Sequence, residues 1–362
     1  RQQTRPSDVG ARRAAGLIRT ARGVLEHPLP AGLPDDAWRV LSKRAQPWLM
    51  AATRAWQRQG EHLLGSPTVV SDGRRPIVFI PPRAYVKFYE TRGDRGSGLA
   101  AESSALAAAE SDADLRVPAI EAQGRIDERW QYLILSRIDG VPLRQVRSEL
   151  SPASLEHAAR WLGGFVDRLH HLELGETAIP GSSEFERAVV ERRDALVQPD
   201  AARSFLPERL ASRLGAWMPA AEELAVPPDE AVLLHADLRD VHVYGYHVDG
   251  DFRPTGVIDF DRACLGHPAY ELGPVWRSIA RGDRDLTLTF MDAAWSRRRD
   301  AAPTPRLALA WCLLHPAVHG QPLDIPEVEA AETLEELAER CFGQAPDTQA
   351  DRSASESPVG EG

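Results

Sequence analysis

Lysine is nearly absent from this chain. Of 43 basic side chains in 362 residues, only Lys43 and Lys87 are lysine; the other 41 are arginine. Where arginine meets almost every need for positive charge, each lysine calls for a reason. Cysteine is also scarce. Cys264, Cys312 and Cys341 are odd in number and widely spaced, which excludes a disulfide framework and a cysteine-built zinc site and fits reduced thiols. No uncharged apolar run approaches about 18 residues, so no membrane-spanning helix is expected. The opening Arg1-Gln2-Gln3 leads into no apolar h-region, which reads as no signal peptide and a cytoplasmic location. An excess of positive charge is missing too: 53 acidic groups against 43 basic ones leave a net charge of −10, unsuited to a dedicated nucleic-acid binder.

What is present is ordinary globular material, 43% hydrophobic and 27% charged, long enough for two or three lobes with sizeable cores. The charge is uneven. Residues 1–30 sum to +4, residues 31–145 to +2, residues 146–342 to −13 and the remaining tail to −3. The division expected is a basic, helical extension over 1–60, a small strand-rich lobe over 61–140, a helical lobe over 141–342 and a disordered acidic tail over 343–362.

The pattern predicts a helical stretch in Ala11–Leu25 and another from Pro34 to Gly60, capped by Asp35 or Asp36 and broken or kinked at Pro47. Trp38, Trp48 and Trp56 in it read as packing residues. Strands are expected at Thr68–Ser71, Pro76–Ile80, Ala84–Tyr89 and Trp130–Arg137, with an Ala-rich helix at Gly98–Ser111. Beyond Pro142 the reading is mainly helical: Pro152–Leu172, Ser183–Leu196, Leu206–Leu224, Ala269–Arg281, Leu286–Arg298, Arg306–His315 and Glu327–Cys341. A strand patch interrupts it at Ala231–Leu234, Val241–Tyr246 and Thr255–Phe260, the last two flanking an Asp249-Gly250 turn. The fold class is therefore α+β, a small β-rich lobe followed by a larger helical one.

The chemistry concentrates in Leu234–Leu272. His235-Ala236-Asp237 follows an apolar strand directly, His242 stands five residues beyond Asp237, and Ile258-Asp259-Phe260 ends the second arm of the hairpin. A spacing of 22 residues between Asp237 and Asp259 suits a hairpin that returns the second carboxylate beside the first. Taken with the downstream Ala263, Gly266 and Pro268–Leu272, this segment resembles the aminoglycoside phosphotransferase family, which shares the protein-kinase-like fold. That family reads H-x-D-x-x-x-x-N in its catalytic loop and I-D-F on its metal strand.

The resemblance implies a two-lobed enzyme with ATP in the cleft between lobes, moving a phosphoryl group to a hydroxyl of a small molecule. Asp237 would orient and deprotonate the acceptor, Asp259 would hold Mg²⁺, and His235 would be a scaffold residue of the loop. Lys87, in the strand Tyr85–Tyr89, would steady the ATP phosphates, paired with Glu102 on the Ala-rich helix. Leu135 and Arg137 would lie where adenine meets the hinge. Charge compensation and positioning are what phosphoryl transfer asks of a protein, and hard oxygen ligands suit Mg²⁺. The acidity of the helical lobe favours a neutral or cationic acceptor.

Two departures stand out. His242 occupies the family's asparagine position, where it could bind the metal, contact a phosphate or leave a metal position to water, with Asp240 near enough in sequence to assist. No glycine-rich phosphate loop precedes Lys87; Gly65 and Gly73 are all that the segment offers. These departures motivate a rival reading, a kinase-like scaffold without catalysis; nucleotidyl transfer on the same fold is a third. The bland readings are that Asp237 and Asp259 cap loops, that Lys87–Glu102 is a surface pair, and that His315 is a helix end favoured by the macrodipole. His170 and His171 likewise read as helix-end residues.

Overall fold

The computed structural model describes residue 29 and residues 45–70, 75–91, 98–174, 178–198 and 200–343. Lys43, Trp38, the expected caps at Asp35 and Asp36, the helix reading of Ala11–Leu25 and the tail beyond Gly343 lie outside the described residues. The chain divides into two compact units. One comprises the chain to Ser103 with Pro118–Arg137; the other comprises Ser104–Val117 with the chain from Ile138 onward.

The first unit is built on a five-stranded antiparallel sheet. Its strands are β1 (Thr68–Val69), β2 (Ile77–Ile80), β3 (Ala84–Glu90), β4 (Ile120–Arg125) and β5 (Trp130–Ser136), in the order β1-β2-β3-β5-β4. Strand β3 alternates as the pleat requires. Val86 and Phe88 face a core with Trp48, Trp130 and Ile134. Lys87 and Tyr89 face the other way, where Glu102 on α2 (Gly98–Ala109) meets both. The core side is covered by α1 (Ala45–Gln57), whose Trp48 packs edge-on against Trp130 with ring centroids 5.0 Å apart. This helix, read as part of a separate extension, thus packs on the sheet of the first unit. It runs unbroken through Pro47 and ends at Gln57, ahead of Gly60. Strand β4 is new: Ile120–Arg125 alternates half-buried and exposed but lacks the β-branched run that would announce it.

In the second unit, β6 (Val141–Pro142), β8 (Val243–Val248) and β9 (Asp251–Val257) form one sheet, and β7 (Val232–Leu234) pairs with β10 (Cys264–Gly266). The β8–β9 hairpin turns at Asp249-Gly250, both residues at positive φ, as the sequence predicts. Two boundaries differ from expectation. Strand β9 begins at Asp251, because Pro254 is accommodated opposite Gly245 next to a register shift. It stops at Val257 because Asp259 adopts φ 75°, left-handed and incompatible with a continuing strand.

Helix α3 (Pro152–His170) is capped by the Ser151 hydroxyl, which accepts from Ser154 N at 3.2 Å, with Pro152 in its first turn. Helix α4 (Ser182–Leu196) follows, and α3 packs on α5 (Arg284–Ala294), where a Cβ on Gly163 would clash with the Phe290 carbonyl. The single helix expected over Leu206–Leu224 is instead three short turns, Glu208–Ala211, Leu214–Trp217 and Ala221–Leu224, with Pro207 leading into the first and Pro219 lying between the last two. The run Glu327–Cys341 likewise divides into Pro326–Ala330 and α7 (Leu334–Phe342), which is restarted by a Thr333 cap to Glu336 N. Ala269–Arg281 is a chain of tight and wide turns around Pro274 rather than one regular helix. Among the described residues no helix is long and apolar enough to cross a membrane.

Gly140 starts the turn into β6. It holds φ 101°, and a Cβ there would stand 2.2 Å from the Gly245 carbonyl of β8. Gly140→Ala is expected to destabilise the protein by about 2–4 kcal/mol, from backbone strain and overpacking together. Urea unfolding measures it, and a loss below about 0.5 kcal/mol would contradict the packing described.

Candidate active site

Lys87 and Glu102 form a buried pair. The Nζ donates to Oε1 at 2.7 Å and to Oε2 at 2.9 Å, with side chains 7% and 0% exposed. This overturns the surface-pair reading. Tyr89, two residues along the same strand, donates its hydroxyl to Glu102 Oε2. Burial, and then the Glu102 charge, raise the Tyr89 phenol well above its usual value, so it stays a donor. Sequence reasoning missed Tyr89, although strand alternation puts it on the lysine's face.

Leu135 also lies on that face. The register sets Lys87 opposite Leu133 and Tyr85 opposite Leu135, one period further along. Arg137 follows the end of β5; its N–H donates to the Arg83 carbonyl at 2.6 Å and its guanidinium lies 5.7 Å from the Phe79 ring centre.

In the second unit the loop after β7 is fixed by buried groups from distant parts of the chain. Ala236 has φ 59°. Glu271 Oε1 accepts the N–H groups of His235 at 2.5 Å and Ala236 at 3.1 Å. His315 accepts at Nδ1 from Ala317 N, so its Nε2–H donates to the Ala236 carbonyl at 3.0 Å. Burial pushes His315 down to about 3, leaving it neutral. It does cap the end of α6 (Pro305–Leu314), but the macrodipole reading, which needs a charged ring, is corrected: the imidazole is a dry anchor of the loop. Burial lifts the Glu271 carboxyl to about 7, with a lesser push from Asp237 and against the pull of its two backbone donors.

His235 is fully buried, packs its ring on Phe260 at 4.5 Å, accepts from Asp237 N and donates through Nε2 to the Ile258 carbonyl at 3.0 Å. Burial holds it at about 4, so it is a neutral strut with both nitrogens committed. The Asp237 carboxylate is gripped by the Arg239 fork, Nε to Oδ1 at 2.7 Å and Nη2 to Oδ2 at 2.8 Å, with Arg262 Nε 3.9 Å away. Neither arginine was singled out in the sequence; position two beyond the aspartate was the available signal for Arg239.

The hairpin does return the second carboxylate. His242 Nε2 lies 3.2 Å from Asp259 Oδ2, and the Asp237 backbone carbonyl takes the His242 Nδ1–H at 2.7 Å. Asp237, His242 and Asp259 therefore share one small region. The Asp259 side chain is 28% exposed against 5% for Asp237. Asp240 is engaged elsewhere: Arg281 lies 3.8 Å from its carboxylate, and Arg144, Arg147 and Arg239 are near enough to act on its charge. Among the described residues no three His, Cys, Asp or Glu side chains converge on one point. A carboxylate oxygen and an imidazole nitrogen 3.2 Å apart would suit a divalent cation, whose charge could offset that of phosphate groups.

A profile of the phosphotransferase enzyme family, APH, matches residues 70–317. Viomycin phosphotransferase of Streptomyces vinaceus is 29% identical over 216 residues, covering 58% of this chain and 72% of that protein. Among solved structures, the GDP and kanamycin complex of APH(2")-IIia resembles this chain with a TM-score of 0.57 at 15% identity, over 78% of this chain and 90% of that one. The GDP complex of wild-type aminoglycoside 2'-phosphotransferase-IIIa gives 0.57 at 15% identity, over 80% and 94%. At such identities the likeness establishes the fold.

Proposed function

Because the chain belongs to the phosphotransferase enzyme family, we propose that it transfers the terminal phosphoryl group of ATP, with Mg²⁺, to a hydroxyl of a small molecule. The observation that carries this reading is the loop-and-hairpin arrangement that sets Asp237 and Asp259 on either side of His242. The acceptor oxygen forms a bond to phosphorus, the bond from phosphorus to the ADP oxygen breaks, and Asp237 takes the hydroxyl proton. Asp259, with His242, holds the metal, whose charge offsets that of the phosphates. Lys87, held by Glu102 and through it by Tyr89, is the point charge for phosphate oxygens. Leu135 gives the adenine an apolar surface, Arg137 follows it at the strand end, and His235 keeps the loop in shape.

The chain keeps both carboxylates and the buried lysine pair, which supports catalysis over a scaffold role. The relative from Streptomyces vinaceus, named for viomycin, and the kanamycin complex favour an antibiotic as acceptor. The acidity of residues 146–342 favours a neutral or cationic one.

The test is a screen of aminoglycosides, peptide antibiotics, nucleosides and amino alcohols for acceptor-dependent ATP consumption. A product heavier by about 80 Da, the mass of one phosphoryl group, is expected. Lys87→Ala should consume no ATP and show no stabilisation by it. A larger nucleotidyl adduct, or ATP binding that never leads to turnover with any acceptor, would overturn the reading.

A further inference from the structure

We propose that the acceptor carries an anionic group, a carboxylate or a phosphate, beside the hydroxyl to be phosphorylated, and that Arg262, with Arg239, binds that group. The inference rests on the functional reading above and adds to it the class of acceptor.

A hydroxyl that gives its proton to Asp237 must come within hydrogen-bond reach of that carboxylate, so its substituents meet whatever surrounds the carboxylate. Two guanidinium groups do. Arg239 takes both oxygens, Nε to Oδ1 at 2.7 Å and Nη2 to Oδ2 at 2.8 Å. Arg262 brings its Nε to 3.9 Å from Oδ2, too far for a hydrogen bond. Its side chain is 44% exposed, and among the described residues it has no other carboxylate within 4.0 Å. Two cations thus share one anion, and at such range like charges repel. A planar guanidinium fork suits a carboxylate or a phosphate, so an anion on the acceptor completes the set.

The backbone holds Arg262 there. Strand β10 pairs with β7 so that Cys264 stands opposite Leu234, immediately before the loop, and Ala263 N donates to the Phe260 carbonyl at 3.0 Å. A third guanidinium comes from α4. Arg192 donates to the Tyr270 hydroxyl at 2.6 Å, and the Tyr270 ring lies 4.4 Å from that of His315, the anchor of the Ala236 carbonyl. Arg192 and Arg262 are both near enough to act on the charge of Tyr270 and of His315. Asp240 offsets none of this, because Arg144, Arg147 and Arg281 already act on it. The −13 of residues 146–342 is a sum over a whole lobe. Exposed charges more than about 8–10 Å apart are largely screened, so the arginines beside Asp237 set the sign that the hydroxyl's neighbours meet. An acceptor that is neutral overall, with its own amine further out, satisfies both.

The rival role for Arg262 is contact with the phosphoryl group in transfer. Two measurements on the full chain separate them. In the first, Mg²⁺ and a non-hydrolysable ATP analogue fill the nucleotide site, and glycerate, glycerol 3-phosphate and glycerol are titrated at constant ionic strength while thermal unfolding is followed. Saturable stabilisation by an anion and none by glycerol is expected, lost in Arg262→Ala; which anion binds distinguishes carboxylate from phosphate. In the second, the acceptor screen is run on matched pairs, hydroxy acids beside their amides and nucleoside monophosphates beside nucleosides. Arg262→Ala should raise KM for the anionic member by roughly 10–100-fold, with Arg262→Lys recovering part of the loss, and leave its neutral partner's KM little changed. No saturable anion binding, the same binding in Arg262→Ala, or a fall in kcat equal for both members overturns the inference and leaves the phosphotransferase reading intact. So does a cationic acceptor used by wild type and Arg262→Ala with one KM. Anion binding that needs Arg262, without turnover of any acceptor, upholds the anion site and overturns the phosphotransferase reading.

Discussion

Asp237→Asn is expected to lower kcat by roughly 10²–10⁴-fold, the range associated with loss of a positioned general base. The substitution keeps the shape of the side chain and removes its charge. Nucleotide affinity should change little, because Lys87 and Asp259 carry the predicted phosphate and metal contacts. Stability should fall by only about 1 kcal/mol: Arg239 loses its partner, but its side chain is one-third exposed and can turn to water. Steady-state kinetics and thermal unfolding on the same preparation separate these effects. Wild-type turnover in the folded variant would sink the assignment of Asp237 as the base.

Glu271→Ala is expected to act through the backbone. The carboxylate is the acceptor for the N–H groups of both His235 and Ala236 in a water-free site, and each stranded donor costs about 1–3 kcal/mol. A loss of about 2–5 kcal/mol follows, with activity falling as the loop relaxes. Glu271→Gln keeps an acceptor oxygen in place and should restore most of the stability. The pair also carries a pH signature. The native carboxyl titrates at about 7 against a usual value of 4.5, so between those values the native state holds a proton that the unfolded chain has released. Stability contributed by this group is complete below about pH 4.5 and is lost as pH rises toward about 7. Wild type should therefore lose on the order of 3 kcal/mol relative to Glu271→Gln across that window. A constant difference between the two proteins over the same range, measured by urea unfolding, would rule out a protonated Glu271.

Features set by neighbours in sequence were legible. Asp249-Gly250 demands the hairpin, the apolar run before His235 makes a strand, and a lone lysine in a β-branched, aromatic strand stands out against a field of arginine. Features set by distant partners were not. Glu271 reaches the loop from 36 residues away and His315 from 79, and no local pattern announces either bond. Reading Thr255–Phe260 as one strand failed at Asp259 because a positive φ leaves no trace in residue type when aspartate, not glycine, adopts it. The helix expected over Leu206–Leu224 shows the opposite case: Pro207 and Pro219 were visible, and apolar periodicity was given more weight than it deserved. Strand β4 was missed because an edge strand with alternating exposure needs few of the residues that mark buried ones.

Strand β3 carries Lys87, the proposed phosphate anchor, and the core residues on alternate positions, and this ties the proposed enzymology to folding. A slip of a single residue would exchange its faces. Val86 and Phe88 would turn toward Glu102, and Lys87 would be driven among Trp48 and Trp130 with its ammonium unpaired. The misregistered chain would be compact but unable to grip a phosphate. In a refolded sample, specific activity then becomes a count of correctly threaded molecules, and the lysine serves as a proofreading mark for the sheet.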